Sequence, residues 1–425
     1  MSALPVERVR VAVVGGGPAG LTAAAALATQ GVDDVLVVER EAETGGIPRH
    51  SDHPGYGLRD LRRFVSGPTY ARRLTATARD AGVRLETGAM VTGWAGGRAT
   101  TRRLEVTSPA GRRVVEAEAV VLATGARERP RPARLIPGDR PDGVWTTGQL
   151  QNLVHLHHAP VGSRAVVVGA ELVSWSAVMT LREAGCATVA MTTTYDRPDA
   201  YAAFHLPGRA LLKGPVLTGT RVVAIEGRGR VTGVVVETLA TGERRTIPCD
   251  TVVTTGDWIP DHELARLGGV ELDAGTRGPL VDASLRTSAA GVFAAGNLLH
   301  PVDTADGAAL DGRHVAGRVA AWLDGPPTAL PVPRAGGVRV RAAAPFRWVA
   351  PQLVAPDGGV APRGDLLLWV DEHHRFPRVQ AHQDGRLLAR RRVAWPAAPG
   401  RVFRAPWSLV AGADPAGGDV TVSLG

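Results

Sequence analysis

The sequence predicts an α/β protein made of two parallel strand–helix–strand units followed by a small all-β domain. Three observations predict it. A glycine-rich turn, Gly15 to Gly20, joins an apolar run to an alanine-rich segment near the N-terminus. A second run–turn–helix–run order starts at Arg164. Beyond a proline-marked stretch (Pro326, Pro327, Pro331, Pro333) the apolar runs become short and are split by turn residues. A chain of 425 residues is long enough for two or three domains.

In the first unit, Val9 to Val14 reads as a buried parallel strand. It runs into Gly15-Gly16-Gly17-Pro18-Ala19-Gly20. Leu21 to Gln30 then reads as a helix closed by Gly31, and Val35 to Val38 as the next strand, ending at Glu39. Gly15, Gly17 and Gly20 fill the G-x-G-x-x-G positions of a Rossmann-like dinucleotide site, with Glu39 at the spacing of its ribose-binding acid. Gly15 allows the tight turn. Gly17 lets backbone approach a pyrophosphate, and Gly20 lets helix and strand pack closely. The helix N-terminus offers free N–H groups to the phosphates.

In the second unit, Ala165 to Val168 reads as a strand, Gly169 to Ser174 as a turn, Trp175 to Ala184 as a helix and Thr188 to Met191 as a strand. Only Gly169 holds a fingerprint glycine. Glu171 stands at the middle glycine position and Ser174 at the last. A carboxylate there opposes a pyrophosphate. The strand end, Thr192-Thr193-Thr194, offers neither an acid for a ribose hydroxyl nor an arginine for a 2′-phosphate. The fold of a nucleotide unit is kept while its chemistry is eroded, and the sequence leaves NAD(P) binding open. From about Arg334, the runs Trp348–Ala350, Leu366–Val370, Leu387–Leu388, Arg401–Arg404 and Val420–Ser423 predict a β sandwich.

Composition excludes several classes. Hydrophobic residues at 44% and charged residues at 21% are those of a folded globular chain, not a disordered one. The two cysteines, Cys186 and Cys249, lie far apart, so this chain alone forms no dithiol redox centre, thiolate zinc site or Fe–S cluster. No apolar stretch reaches the ~18–20 residues of a membrane span. Met1 to Arg10 shows no signal-peptide core, so a cytoplasmic protein with no membrane association is expected. The net charge is +8, but the single lysine is Lys213 and the arginines are spread along the chain. No basic helix face is interleaved with aromatics, so nucleic acid is not an expected partner. An anionic cofactor or partner surface accounts for the charge.

Over about residues 8–325 the chain resembles the flavoproteins with two dinucleotide-binding domains, the class-II pyridine nucleotide-disulfide oxidoreductase superfamily. Val11 to Gly20 with Glu39 is similar to its FAD fingerprint. Gly45-Gly46-Ile47 matches its GG element, Gly88 to Val91 the strand meeting the adenine, and Val120 to Gly125 its ATG strand. Thr255 to Pro260 matches the return element, and Gly291 to Asn297 the last FAD motif, with Asn297 where an Asp is usual. The resemblance implies FAD-binding parts at 1–130 and 280–325, an inserted NAD(P)-type domain at 131–279, and a separate β domain at 334–425. It implies cofactor contacts from Gly15, Gly17, Pro18, Ala19, Gly20, Glu39, Arg40, Gly45, Gly46, Ile47, Val91, Ala123, Thr124, Gly125, Gly296, Asn297, Thr304 and Ala305. The eroded second unit and the missing CxxC are similar to the branch of FAD subunits of amine and amino-acid dehydrogenases, opine oxidase and hydrogen cyanide synthase.

His50, His53 and His300 are the candidate catalytic residues, with polar-loop roles as the competing reading. A neutral histidine can take an amine proton, with a rate profile near pH 6–7. Asp303-Thr304-Ala305-Asp306 precedes a helix, Gly307 to Leu323, whose N-terminus suits a reduced flavin's charge. His155, His157 and His158 lack a carboxylate or cysteine at ligand spacing, so no metal is expected. Tyr195, Tyr201, Phe204 and His205 could line an entrance or form a satellite core. The expected function is FAD-dependent oxidation of a small amine or amino-acid-like substrate, with electrons passed to a non-NAD acceptor such as a partner protein. The alternatives are an NAD(P)H-dependent flavin reductase feeding a partner, and a non-catalytic flavin-bearing component for electron transfer.

Overall fold

The computed structural model describes residues 4–98, 101–198, 208–300, 303–325 and 336–425. Tyr201, Phe204, His205 and the four linker prolines lie outside the described residues. The first sheet starts with β1 (Val6–Val14), whose last four residues are all buried. α1 (Pro18–Thr29) begins inside the glycine motif, three residues before the expected start. Proline at the first helical position is preorganised and gives up no needed N–H. β2 (Val35–Val38) is buried throughout. α2 (Gly67–Asp80) buries Tyr70, Leu74 and Ala78 at helical spacing. β3 (Arg84–Glu86), β4 (Met90–Arg98), β5 (Thr101–Ser108) and β6 (Gly111–Leu122) complete this part. The strand order is β3-β2-β1-β6-β5-β4. The β3-β2-β1-β6 half is parallel, with the β6-β5-β4 meander beside it.

After β6 the chain crosses over through Ala126–Glu128, which pairs with the returning Trp258–Pro260. A second sheet lies between these crossings. Its elements are β7 (Val144–Thr146), α3 (Thr147–Gln151), β8 (Arg164–Val168), α4 (Leu172–Glu183), β9 (Ala187–Thr192), β10 (Val216–Leu217) and β11 (Thr251–Thr254). It is all parallel in the order β7-β11-β8-β9-β10. Ile225, Val234 and Val236 of an added antiparallel sheet pack against Val166, Ala190 and Val252.

β12 (Val292–Ala294) returns to the first sheet, pairing with Val120 to Leu122 of β6. α5 (Ala305–Asp324) then lies on α1. The contact is backbone against backbone: a Cβ at Gly312 would overlap the Ala19 carbonyl oxygen. Beyond it, a five-stranded and a three-stranded sheet share one core, from Val338, Val379 and Val420 to Phe346, Leu368 and Phe403. Arg378–Gln383 forms a strand that the sequence pattern does not announce. No helix among the described residues is long and apolar enough to cross a membrane.

Candidate cofactor and substrate site

The glycine turn leaves β1 at the carboxyl end of the first sheet. Gly15 has φ +107°, and a Cβ there would strike the Ala123 carbonyl. A Cβ at Gly20 would strike the Gly15 carbonyl oxygen, so β1 and α1 touch through backbone. Gly17 differs: its nearest neighbour would be the Gly46 Cα at 4.0 Å. It is the N-cap of α1, with no side-chain cap and no acid in the first turn. The helix end is therefore an open cradle for an anion.

Glu39 is buried beside this turn. Its Oε2 accepts the Gly16 N–H (2.7 Å) and its Oε1 the Glu41 N–H (2.8 Å). Each oxygen keeps a lone pair for a ribose hydroxyl. Val91 enters β4 opposite Val106. Arg40 pairs with Asp261 at 3.2 Å. Thr124 donates to the Asp261 carbonyl (2.7 Å), and Gly125 O accepts the Asp261 N–H (2.9 Å). Ala123, Thr124, Gly125 and Arg40 thus meet at the crossover.

Gly45 N–H donates to Gly16 O (2.7 Å), which brings the Gly45-Gly46-Ile47 element over the cradle. From the other side, a Cβ at Gly296 would come 2.7 Å from the Ala19 Cβ. The last motif therefore packs on the first turn of α1. Thr304 caps α5 by accepting the Gly307 N–H, just before Ala305. Asp306, in the first turn, accepts the Gly57 and Arg59 N–H groups, both at 2.8 Å, and pins the loop after the GG element. Asn297 is occupied as a brace: its Oδ1 accepts the Asp303 N–H (3.1 Å) and its Nδ2 donates to Asp303 O (3.2 Å). One amide hydrogen and one lone pair remain for a ligand hydroxyl.

The 47–56 loop docks on the second unit. Gln151 donates to Ser51 Oγ (3.2 Å) and to Ser176 Oγ (2.6 Å). His155 Nδ1 donates to the His50 carbonyl (2.6 Å), and its Nε2 lies 2.9 Å from Glu183. His53 Nδ1 donates to Pro54 O (2.8 Å), leaving Nε2 to accept from Ser51 Oγ (3.0 Å). Burial, with Arg49 and His155 adding to it, pushes His50 down to about 4. Burial also lowers His53. Both are neutral at pH 7, and the profile expected at pH 6–7 moves to lower pH. His300 stacks its ring on Trp348 at 5.4 Å and lies near enough to Asp303 to act on its charge. Gln151 and Ser176 escape a sequence reading because nothing local joins them to Ser51.

In the second unit, Glu171 stands at the N-cap position of α4 without a side-chain capping bond, and its carboxylate lies across two glycine turns. A Cβ at Gly169 would come 2.7 Å from Oε2, and one at Gly256 would come 2.6 Å from Oε1. The space between these two turns is occupied by the Glu171 carboxylate. Among the described residues no group of three or more His, Cys, Asp or Glu is arranged to hold a metal ion. Cys186 and Cys249 are buried, and burial raises both to about 11.

A family model described as pyridine nucleotide-disulphide oxidoreductase matches residues 9–312. The chain belongs to this family. The open Gly17 cradle with Glu39 beside it fits FAD, the cofactor of such oxidoreductases. It is 30% identical to an opine oxidase subunit of Agrobacterium tumefaciens (strain Ach5) over 73% of this chain. It spans 64% of that relative's length. It is also 30% identical to a ferredoxin–NADP reductase of Ignicoccus hospitalis, over 67% of this chain and 88% of that protein. In fold it is similar to the thioredoxin reductase of T. acidophilum, with a TM-score of 0.63 and 22% identity over 75% of this chain and 98% of the other.

Proposed function

We propose that this flavoprotein oxidises an amine or amino-acid-like substrate and passes the electrons to an acceptor other than NAD(P)+. The observation carrying this reading is the Glu171 carboxylate across Gly169 and Gly256, where a nicotinamide dinucleotide needs its pyrophosphate. The likeness to an opine oxidase subunit supports carbon–nitrogen oxidation and an assembly with a partner chain. Cys186 and Cys249 are buried and burial raises both thiols to about 11, which argues against a reactive dithiol acceptor in this chain.

With FAD bound, Glu39 would hold the adenosine ribose and the α1 N-terminus the pyrophosphate, and Gly46, Gly296 and the first turn of α5 would border the ring end. Bound FAD supplies the two-electron acceptor for a substrate hydride. His53 is the proposed base. Neutral at pH 7, it takes the amine proton at Nε2 once Ser51 turns its hydroxyl away. His50, more deeply buried, shapes the loop and packs against His155 through its carbonyl. One finding favours a second reading: the likeness to a ferredoxin–NADP reductase fits a nicotinamide-fed enzyme.

His53→Ala is expected to retain FAD and to slow flavin reduction by the amine about tenfold or more. The base must be neutral, and burial lowers its pKa. The wild-type rate should therefore hold at pH 7 and fall only below about 6.5, the ordinary imidazole value. Stopped-flow reduction from pH 5 to 8 checks both. A His53→Ala rate equal to wild type across that range removes His53 from the chemistry.

A further inference from the structure

The approach to α5 is tied to the C-terminal sheets by ions buried between them. Asp303 is 7% exposed. Arg404, on the strand Phe403–Pro406, donates from one nitrogen to both its oxygens, at 2.6 and 2.9 Å. The same carboxylate accepts the Thr304 N–H (2.8 Å), while the Asp303 backbone exchanges two bonds with the Asn297 amide. Arg363, from the turn Pro362–Gly364, donates to Gly307 O (2.8 Å) and lies 3.2 Å from Asp311. Two arginines of the C-terminal sheets thus meet two carboxylates, one before α5 and one within it. Burial alone would raise the Asp303 carboxyl, but Arg404 and Arg363 outweigh it and hold it below the usual range.

Such a buried pair adds little net stability over apolar packing of the same volume. What it contributes is one fixed geometry. Phe403 and Ala405, on either side of Arg404, are in the sandwich core, so the guanidinium is carried by a rigid strand. The residues it fixes are those bordering the ring end: Asn297, Thr304 and the first turn of α5.

We propose that Arg404 is a positioning residue for the flavin: acting through Asp303, it fixes Asn297 and the N-terminus of α5. This rests on the reading that the ring end lies at that helix terminus. The C-terminal sheets are then part of the flavin site and not a separate appendage.

The test uses full-length holoprotein, with FAD release on dilution and the midpoint potential of the bound flavin as readouts. Arg404→Ala should release FAD at least tenfold more readily. Its potential should shift to more negative values, because the Asp303 charge is left less compensated beside the site. Asp303→Asn combined with Arg404→Ala should restore the potential but not the retention. Arg404→Lys keeps the charge on a shorter side chain, whose nitrogen falls short of the two Asp303 oxygens that the terminal guanidinium nitrogen reaches. It should keep the potential and still lose FAD several-fold more readily, and it stands in should Arg404→Ala not fold. Wild-type retention and potential in Arg404→Ala, or wild-type retention in Arg404→Lys, overturns the proposal. Gly17→Val separates the two levels. If it also retains FAD like wild type, the reading of the site itself fails. If it loses FAD while the Arg404 variants behave as wild type, only the positioning role fails.

Discussion

Gly17→Val is expected to give a folded protein that carries little or no FAD. Gly17 has φ −81°, which any residue adopts, and an added Cβ would meet nothing nearer than the Gly46 Cα at 4.0 Å. The substitution therefore leaves the protein's own packing intact. Its branched side chain instead fills the space over the α1 N-terminus that the pyrophosphate requires. A steric penalty of about 3 kcal/mol would weaken binding about 100-fold. The ratio of flavin to protein absorbance after purification checks this. A fully yellow, folded variant would show that the cradle is not the phosphate site.

The second large effect concerns the fold. Gly312→Val should lower the thermal midpoint by several degrees, through a loss of about 3 kcal/mol. A side chain there would overlap the Ala19 carbonyl oxygen and press on the Ala23 nitrogen at 3.1 Å. α1 and α5 would have to separate, opening the small-residue contact that includes Ala19, Ala23, Ala308 and Ala316. Both helix N-termini border the proposed cofactor site, so FAD retention should fall with stability. Thermal unfolding followed by flavin fluorescence measures both together. An unchanged midpoint would mean that the two helices are less tightly engaged than the structure has them.

The glycine turn and the acid beside it are legible in sequence because their determinants are local. Gly15, Gly17, Gly20 and Glu39 lie within one strand–helix–strand unit, and the run Val35–Val38 is uniformly apolar because both faces are covered. Glu171 is legible for the same reason, as a carboxylate at a glycine position. The boundary of α1 is not, because Pro18 to Gly20 serve the turn and the helix at once. Arg378–Gln383 escapes because only Val379 and Ala381 are apolar, and the third inward residue is Gln383, buried with its amide bonded to Asp414 and Gly418 backbone. Long-range partners leave no local trace. Arg404 and Asp303 are 101 residues apart, and Gln151 and Ser51 are 100 apart. Arg404 reads in sequence as the polar end of a short strand, and Asn297 as a cofactor contact when it also braces Asp303. The stacking of His300 on Trp348 likewise leaves no local trace.

The central claim is that electrons enter this flavin from a carbon–nitrogen substrate and not from a nicotinamide. Anaerobic titration of the purified holoprotein, followed at the oxidised flavin band, tests it most directly. The additions are NADH, NADPH and a panel of amines, amino acids and opines. At least one carbon–nitrogen substrate should bleach the flavin stoichiometrically, while both nicotinamides leave it oxidised or reduce it far more slowly. Fast stoichiometric bleaching by NADH or NADPH, with none from the panel, would contradict the account and place a working dinucleotide site beside Glu171.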